Sequence, residues 1–286
     1  MPDKFAVTSE NELRKQIWSW RGFGETIGFV PTMGALHAGH VSLITKAKKH
    51  ADKVVASIYV NETQFAQGED LATYPRDHER DCEMLRGTGC DLVYIPEKMY
   101  GDDHRTTITV GGPALGLETD DRPHFFAGVA LIVTKLLNQV QPDFAVFGEK
   151  DYQQLLTIRR LTADLDMPVR IIGAPILREA DGLAMSSRNR YLDEAARQIA
   201  GRLNVIMYDC AQKITDGENI DTATKRAKAQ ILAAGFERVD YVAVADTNSL
   251  ALLKGKLVGQ PARLLVAAHC KTVRLIDNCP INCADN

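Results

Sequence analysis

The stretch Pro31-Thr32-Met33-Gly34-Ala35-Leu36-His37-Ala38-Gly39-His40 most constrains what this chain can fold into. Ile27-Gly28-Phe29-Val30 precedes it, and Val41 to His50 follows with Val41, Leu43, Ile44 and Ala47 at helical spacing. Next comes Val54-Val55-Ala56-Ser57-Ile58-Tyr59-Val60, continuous and rich in β-branched residues, as in a strand buried on both faces. The pattern is strand, glycine-containing turn, helix, strand. Such a βαβ unit sets the turn at the carboxyl edge of a parallel sheet, where ligands of open α/β folds bind. Free backbone N–H groups at the start of the helix then favour an anion in the turn.

His37 and His40 are three apart and share one face of that helix N-terminus once the helix has begun. Three uses fit the spacing. The imidazoles can donate hydrogen bonds to a phosphate whose charge grows in a transition state, they can ligate a metal, or one can cap the helix while the other packs. The turn itself holds no Cys, Asp or Glu to complete a metal site.

At 286 residues the chain can bury a sizeable core in one large domain or two. Lys and Arg number 34 against 37 Asp and Glu, a net charge of −3, so no nucleic-acid surface is expected and any anion site must be local. Met1 to Ser19 is polar without an apolar core of signal-peptide length, and no run approaches the roughly 20 apolar residues of a membrane span. A cytoplasmic protein without membrane partners is expected. Cysteines stand at 82, 90, 210, 270, 279 and 283 with no CxxC pair, the pattern of reduced thiols. Cys279 and Cys283 lie beside Pro280 in what reads as a frayed polar tail, a metal or disulfide pair being the alternative.

Beyond the second strand, Asn61 to His78 reads as a polar loop. Asn61 and Gln64 can bind a small polar substrate there or satisfy turn backbone. Asp81 to Arg86 reads as a helix, Cys90 to Ile95 as a strand, and Tyr100 to Thr119 as an excursion with a short strand near Thr107 to Val110. Gly128 to Val140 is an apolar helix leading into strand Asp143 to Phe147 and a second turn, Gly148-Glu149-Lys150-Asp151-Tyr152-Gln153-Gln154. Lys150 there can balance phosphate charge and Asp151 can accept from a ribose or approach a metal, or the two can form a surface ion pair.

Strand Val169 to Leu177 runs into Arg178-Glu179-Ala180-Asp181-Gly182-Leu183-Ala184-Met185-Ser186-Ser187-Arg188-Asn189, whose hydroxyls, guanidinium and glycine suit a mobile phosphate-gripping loop. The composition then changes. Helices Glu194 to Ile214 and Thr222 to Ala234 precede strands at Val239 to Val244, Arg263 to His269 and Thr272 to Ile276, the last two too closely joined to pair other than antiparallel. The expected fold is α/β, a Rossmann-like doubly wound parallel sheet over 1–178 with a smaller C-terminal α+β domain over 179–286.

Met33 to His40 resembles the HIGH-type signature of the nucleotidyltransferase superfamily. The ordered set Val60-Asn61-Glu62-Thr63-Gln64-Phe65, Tyr74-Pro75-Arg76, Phe147 to Gln154, Asp181 to Asn189 and Arg274-Leu275-Ile276-Asp277-Asn278 resembles the pantothenate synthetase family over nearly the whole length. The resemblance implies an ATP-dependent, AMP-forming ligation of (R)-pantoate to β-alanine through an enzyme-bound pantoyl adenylate, with release of pyrophosphate, in coenzyme A biosynthesis. It implies ATP contacts at Met33, Gly34, Ala35, Leu36, His37, Ala38, Gly39, His40, Gly148, Glu149, Lys150, Asp151, Leu177, Met185, Ser186, Ser187 and Arg188. Catalytic roles would fall to His37, His40, Lys150, Ser186, Ser187 and Arg188, with Met185 to Arg188 as the loop that closes on the triphosphate. Gln64, Gln154 and Asn61 would take pantoate, and Gln64 and Tyr74 would take β-alanine. Mg²⁺ would be carried mainly by ATP, and family members are usually homodimers.

Two departures stand out. Arg122-Pro123-His124-Phe125-Phe126-Ala127-Gly128-Val129 has its histidine one residue from the family's place, and Glu62 replaces a usual proline, which should loosen the loop holding Gln64. A CTP-dependent cytidylyltransferase or a nucleotide-sensing module would share the first turn. The Gln64 and Gln154 pair and the Lys150 and Arg188 pair argue against both.

Overall fold

The computed structural model describes residues 5–66 and 68–281. The chain forms two compact units, one made of residues up to Glu149 with Thr157–Pro175, the other of Lys150–Leu156 with residues from Ile176 onward.

The first unit begins with β1 (Ala6–Val7) and α1 (Glu10–Gly22), neither of which stands out from the polar N-terminal composition. Helix α1 carries its own start signal. Ser9 caps it and Glu12 reaches back to the Ser9 backbone, a Ser-x-x-Glu capping box, while Leu13, Ile17 and Trp20 bury one face. Then follow β2 (Ile27–Thr32), α2 (Ala38–Lys48), β3 (Lys53–Ile58), α3 (His78–Arg86), β4 (Leu92–Tyr94), the four-residue α4 (Glu118–Asp121), α5 (Phe125–Val140) and β5 (Phe144–Gly148). Helix α6 (Tyr152–Asp164) leads to β6 (Arg170–Ala174). No strand forms at 107–110, where threonine-rich sequence finds no ladder to join.

The strands form one parallel sheet in the order β1-β4-β3-β2-β5-β6. From β2 the order runs outward to β3 and β4 on one side and to β5 and β6 on the other. This puts the topological switch point between β2 and β5. Strand β5 pairs with β2 at Gly28 and Phe29, so Pro31 near the end of β2 costs that ladder no donor. Val30, Ile44, Ala47, Val54, Ala56, Leu85, Val93 and Val146 share one buried cluster, the apolar reason for the β2-α2-β3 unit.

The second unit holds α7 (Glu194–Thr215) and α8 (Ile220–Ala233), followed by antiparallel β7 (Arg238–Asp246), β8 (Ala262–Cys270) and β9 (Val273–Ile281) in that order. Asp193 and Asn219 cap the two helices. The tail expected around Cys279 is a strand: Cys279 pairs with Leu264 and Pro280 with Arg263. Val273, Leu275, Cys279 and Ile281 recur with period two and bury in one cluster, which outweighs the polar residues between them. Burial pushes the thiols of Cys90 and Cys279 up to about 12 and that of Cys210 up to about 11, which keeps all three protonated. Cys283 lies outside the described residues. Among the described residues no helix is long and apolar enough to cross a membrane.

Candidate active site

The switch point places two turns at the carboxyl ends of adjacent strands, Met33 to His37 after β2 and Glu149 onward after β5. The first turn is closed from within. Gly34 and Ala35 adopt positive φ, +80° and +51°. A side chain at 34 would bring its Cβ to 2.9 Å from the Asp81 carboxylate and 3.1 Å from Ile58, so only glycine fits. Asp81, 1% exposed in α3, accepts from the backbone N–H groups of Ala35 and Leu36 at 2.9 Å each. Gly34 N–H donates to Thr32 Oγ1 at 3.2 Å.

The histidines complete this closure. His37 caps α2, its Nδ1 accepting from Gly39 N–H at 3.1 Å, and His40 Nδ1 accepts from His37 N–H at 3.3 Å. The expectation of free backbone donors in this turn is therefore corrected: those of Gly34, Ala35, Leu36, His37, Gly39 and His40 all have acceptors within the chain. Because a backbone N–H can only donate, both Nδ1 atoms are acceptors, and each neutral imidazole carries its proton on Nε2. The rings lie 4.2 Å apart, centroid to centroid, tilted by 48°. The capping use and the donor use are compatible, since they employ opposite ring nitrogens. Ala38 and Gly39 open α2 behind them.

Asn61, Gln64 and Tyr74 belong to the same unit. Asn61 is 1% exposed and fully engaged: its Oδ1 accepts from Tyr100 Oη at 2.6 Å and Thr63 Oγ1 at 3.0 Å, and its Nδ2 donates to Gln64 Oε1 at 3.1 Å and the Gly128 carbonyl at 3.2 Å. Gln64 Nε2 donates to Met33 Sδ at 2.8 Å, which ties the polar loop to the signature turn. Tyr74 is buried edge-on to Phe65 at 5.8 Å. Glu62, expected to loosen this loop, accepts from Tyr59 Oη at 3.1 Å, and residues 62–64 form a tight single turn. Asp81 and Tyr100 were not site candidates in the sequence. The first lies 46 positions from Ala35 and the second 39 from Asn61, and no local pattern links either to its partner.

In the second unit, Lys150 Nζ lies 3.8 Å from Asp151, a loose ion pair, and the Lys150 carbonyl accepts from Asn278 Nδ2 at 2.9 Å. Tyr152 Oη donates to the Thr247 carbonyl at 2.8 Å, and the Arg263 guanidinium lies over its ring at 3.9 Å. Gln154 is half-buried one turn into α6. The Met185 N–H donates to the Leu177 carbonyl at 3.0 Å, and Arg178 bridges to Ala184, so the phosphate-loop candidate hangs on a narrow hairpin. Ser186 Oγ accepts from the Arg188 N–H at 3.3 Å, and the Ser187 carbonyl accepts from Arg190 Nε at 3.1 Å. Arg197 of α7 braces the hairpin with forked bonds to Glu179 at 2.7 and 3.1 Å and to Asp181 at 2.8 and 3.2 Å. Asn189 Nδ2 donates to Glu179 at 2.8 Å and to the Ala184 carbonyl at 3.1 Å. Hydrogen bonding by Arg197 holds the Glu179 carboxyl below its ordinary range; burial opposes the same shift at Asp181, yet Arg197 and the Leu183 N–H win there too.

A doubly wound sheet with two helix-opening turns at its switch point and paired imidazoles on one of them defines a nucleotide-binding α/β protein. Comparison narrows the class. The family model described as pantoate-beta-alanine ligase matches residues 6–280, and the chain belongs to that family. A pantothenate synthetase of Maricaulis maris is 50% identical over 278 residues, covering 96% of each chain, and one of Caulobacter vibrioides is 45% identical over 281 residues, covering 97% of this chain and 99% of its own. The crystal structure of a pantothenate synthetase from Thermus thermophilus superposes with a TM-score of 0.89 at 40% identity, covering 96% of this chain and 99% of that one. A Francisella tularensis pantoate-beta-alanine ligase, solved in complex with beta-gamma ATP and beta-alanine, gives 0.79 at 33% identity, covering 96% and 97%.

Proposed function

We propose that this chain condenses (R)-pantoate with β-alanine to pantothenate in an ATP-dependent reaction that passes through an enzyme-bound pantoyl adenylate. The observation that carries the reading is the pair of imidazoles at the N-terminus of α2, each with Nδ1 accepting from a backbone N–H; a neutral ring so engaged bears its proton on Nε2. Family membership and a relative solved with an ATP analogue and beta-alanine support it.

In the first step a pantoate carboxylate oxygen attacks the α-phosphorus of MgATP, and the bond to pyrophosphate breaks. No protein nucleophile is needed, because positioning and charge neutralisation supply most of the acceleration. His37 and His40 donate from Nε2 to phosphate oxygens as charge grows on the leaving pyrophosphate; the carboxylate nucleophile has no proton to lose. Lys150 and Arg188 bring two positive charges to the triphosphate, assisted by Ser186 and Ser187. The remaining ATP contacts fall to Met33 to Gly39, Gly148, Glu149, Asp151, Leu177 and Met185. Gln64 and Gln154 bind pantoate, with Asn61 acting through Gln64, and Gln64 and Tyr74 serve β-alanine. In the second step the neutral β-alanine amine attacks the acyl carbon, the acyl C–O bond to the phosphate breaks to release AMP, and the proton lost by the nitrogen passes to the released phosphate or to solvent.

Mg²⁺ enters as part of the nucleotide substrate. The first unit serves as the nucleotide- and pantoate-binding domain, and the second, which takes in Lys150–Leu156 besides the later part of the chain and carries the Met185–Arg188 loop, serves as the lid domain. The enzyme works as a homodimer in the cytoplasm.

Pyrophosphate release from MgATP is the test, measured with pantoate alone and then with β-alanine added. A stoichiometric burst with pantoate that becomes continuous with β-alanine is the expected result. No release with pantoate, under conditions where ATP binds, would overturn the reading.

A further inference from the structure

The segment Arg122 to Val129 departs from the family pattern, yet the residues near its two ends grip the Gln64 loop. Arg122 ends α4 with its guanidinium 3.9 Å over the Phe125 ring, which sets the plane of the fork. Its Nε and Nη2 donate to the two Glu69 carboxylate oxygens at 2.6 and 2.8 Å, and Nη2 also donates to the Gln64 backbone carbonyl at 3.1 Å. The two side chains are 17% and 24% exposed, so solvent screens this bidentate pair less than a surface one. Against the same loop, a Cβ at Gly128 would come within 2.4 Å of the Thr63 carbonyl oxygen and 2.8 Å of the Gln64 nitrogen. The Gln64 backbone is thus pressed on α5 at its nitrogen and pulled by Arg122 at its oxygen.

We propose that Arg122 and Glu69 form a positioning clamp whose purpose is to hold Gln64 in register for pantoate. The proposal rests on the assignment of Gln64 to that substrate. The clamp explains how the loop keeps its geometry without the usual proline at 62: an ion pair 53 positions apart replaces a local backbone restraint.

The test is steady-state kinetics of Arg122→Lys and Glu69→Gln, each in the natural chain and in Gln64→Ala. A lysine keeps the charge but loses the fork. Arg122→Lys should raise the KM for pantoate about tenfold and leave the KM for ATP within about twofold, with Glu69→Gln acting in the same direction by about threefold. In the Gln64→Ala background both effects should vanish, because a residue that acts through Gln64 has nothing left to position. Equal rises in both KM values, effects that persist without Gln64, unchanged pantoate kinetics, or loss of the folded state in both variants would each overturn the clamp. Gln64→Ala with an unchanged pantoate KM would instead overturn the assignment of Gln64 itself.

Discussion

The Met33–His40 turn and the Met185–Asn189 loop are both proposed to meet phosphate, and they are built in opposite ways. The turn is closed from within: buried Asp81 takes two of its N–H groups, and the two histidines together cap the N-terminus of α2, His37 accepting from Gly39 and His40 from His37. The loop hangs on a hairpin, and its bracing lies at the base, where Arg197 gathers Glu179 and Asp181. A buried acceptor with no alternative partner makes one arrangement rigid, whereas half-exposed ion pairs can exchange with water. The turn is held by buried acceptors within its own unit, and the loop is held chiefly by ion pairs at its root.

The largest break in this contrast should come from His40. His40→Ala should lower adenylate formation by roughly a hundredfold or more, and loss of its capping bond should cost about 1 kcal/mol of stability. His40→Gln keeps an acceptor for the His37 N–H while removing the imidazole. If single-turnover pyrophosphate release in His40→Gln matches that of the natural chain, the turn needs only the cap and the catalytic assignment fails.

Asp81 comes next. Asp81→Asn leaves one carbonyl acceptor where two were used and should destabilise the first unit by about 1–3 kcal/mol, lowering Tm by several degrees. Because the turn is proposed to carry nucleotide contacts, the KM for ATP should rise more than that for pantoate. An unchanged melting curve would show that the turn holds its shape without its buried acceptor.

The smallest effect should be at Arg197. Arg197→Met should speed amide exchange across residues 183–189 and lower kcat several-fold, with little change in Tm, because exposed ion pairs contribute little stability. The same pairs set a pH dependence. The carboxyls of Glu179 and Asp181 are held below their ordinary values of 4.5 and 3.8, so their contribution is complete above about pH 5 and is lost as pH falls through the lower folded values. Exchange in the hairpin measured from about pH 6 down to about pH 3.5 should therefore accelerate beyond the intrinsic pH effect only in its acid part, and not at all in Arg197→Met.

What the amino-acid sequence determined by itself was the local grammar. Short, largely apolar runs at Val54 to Ile58 and Phe144 to Phe147, helical spacing through Val41 to Ala47, and a close antiparallel pair near the end specify a parallel sheet and a smaller α+β unit, because side-chain periodicity follows directly from backbone repeat. The signature turn was legible for the same reason: its residues act as neighbours in the chain. Helix α1 was not read from the sequence, because polar composition hides it, although Ser9 and Glu12 carry its start signal. Tertiary structure alone decided the supports. Asp81 beneath Ala35, Tyr100 on Asn61, Arg122 and Glu69 about Gln64, and the grouping of Lys150–Leu156 with the later half of the chain each join residues from separate elements. Their partners follow from how the strands are ordered and how the helices cross them. A hydrogen bond between distant residues leaves no period in the sequence, and a carboxylate that closes a turn reads, before folding, like any other on a polar helix.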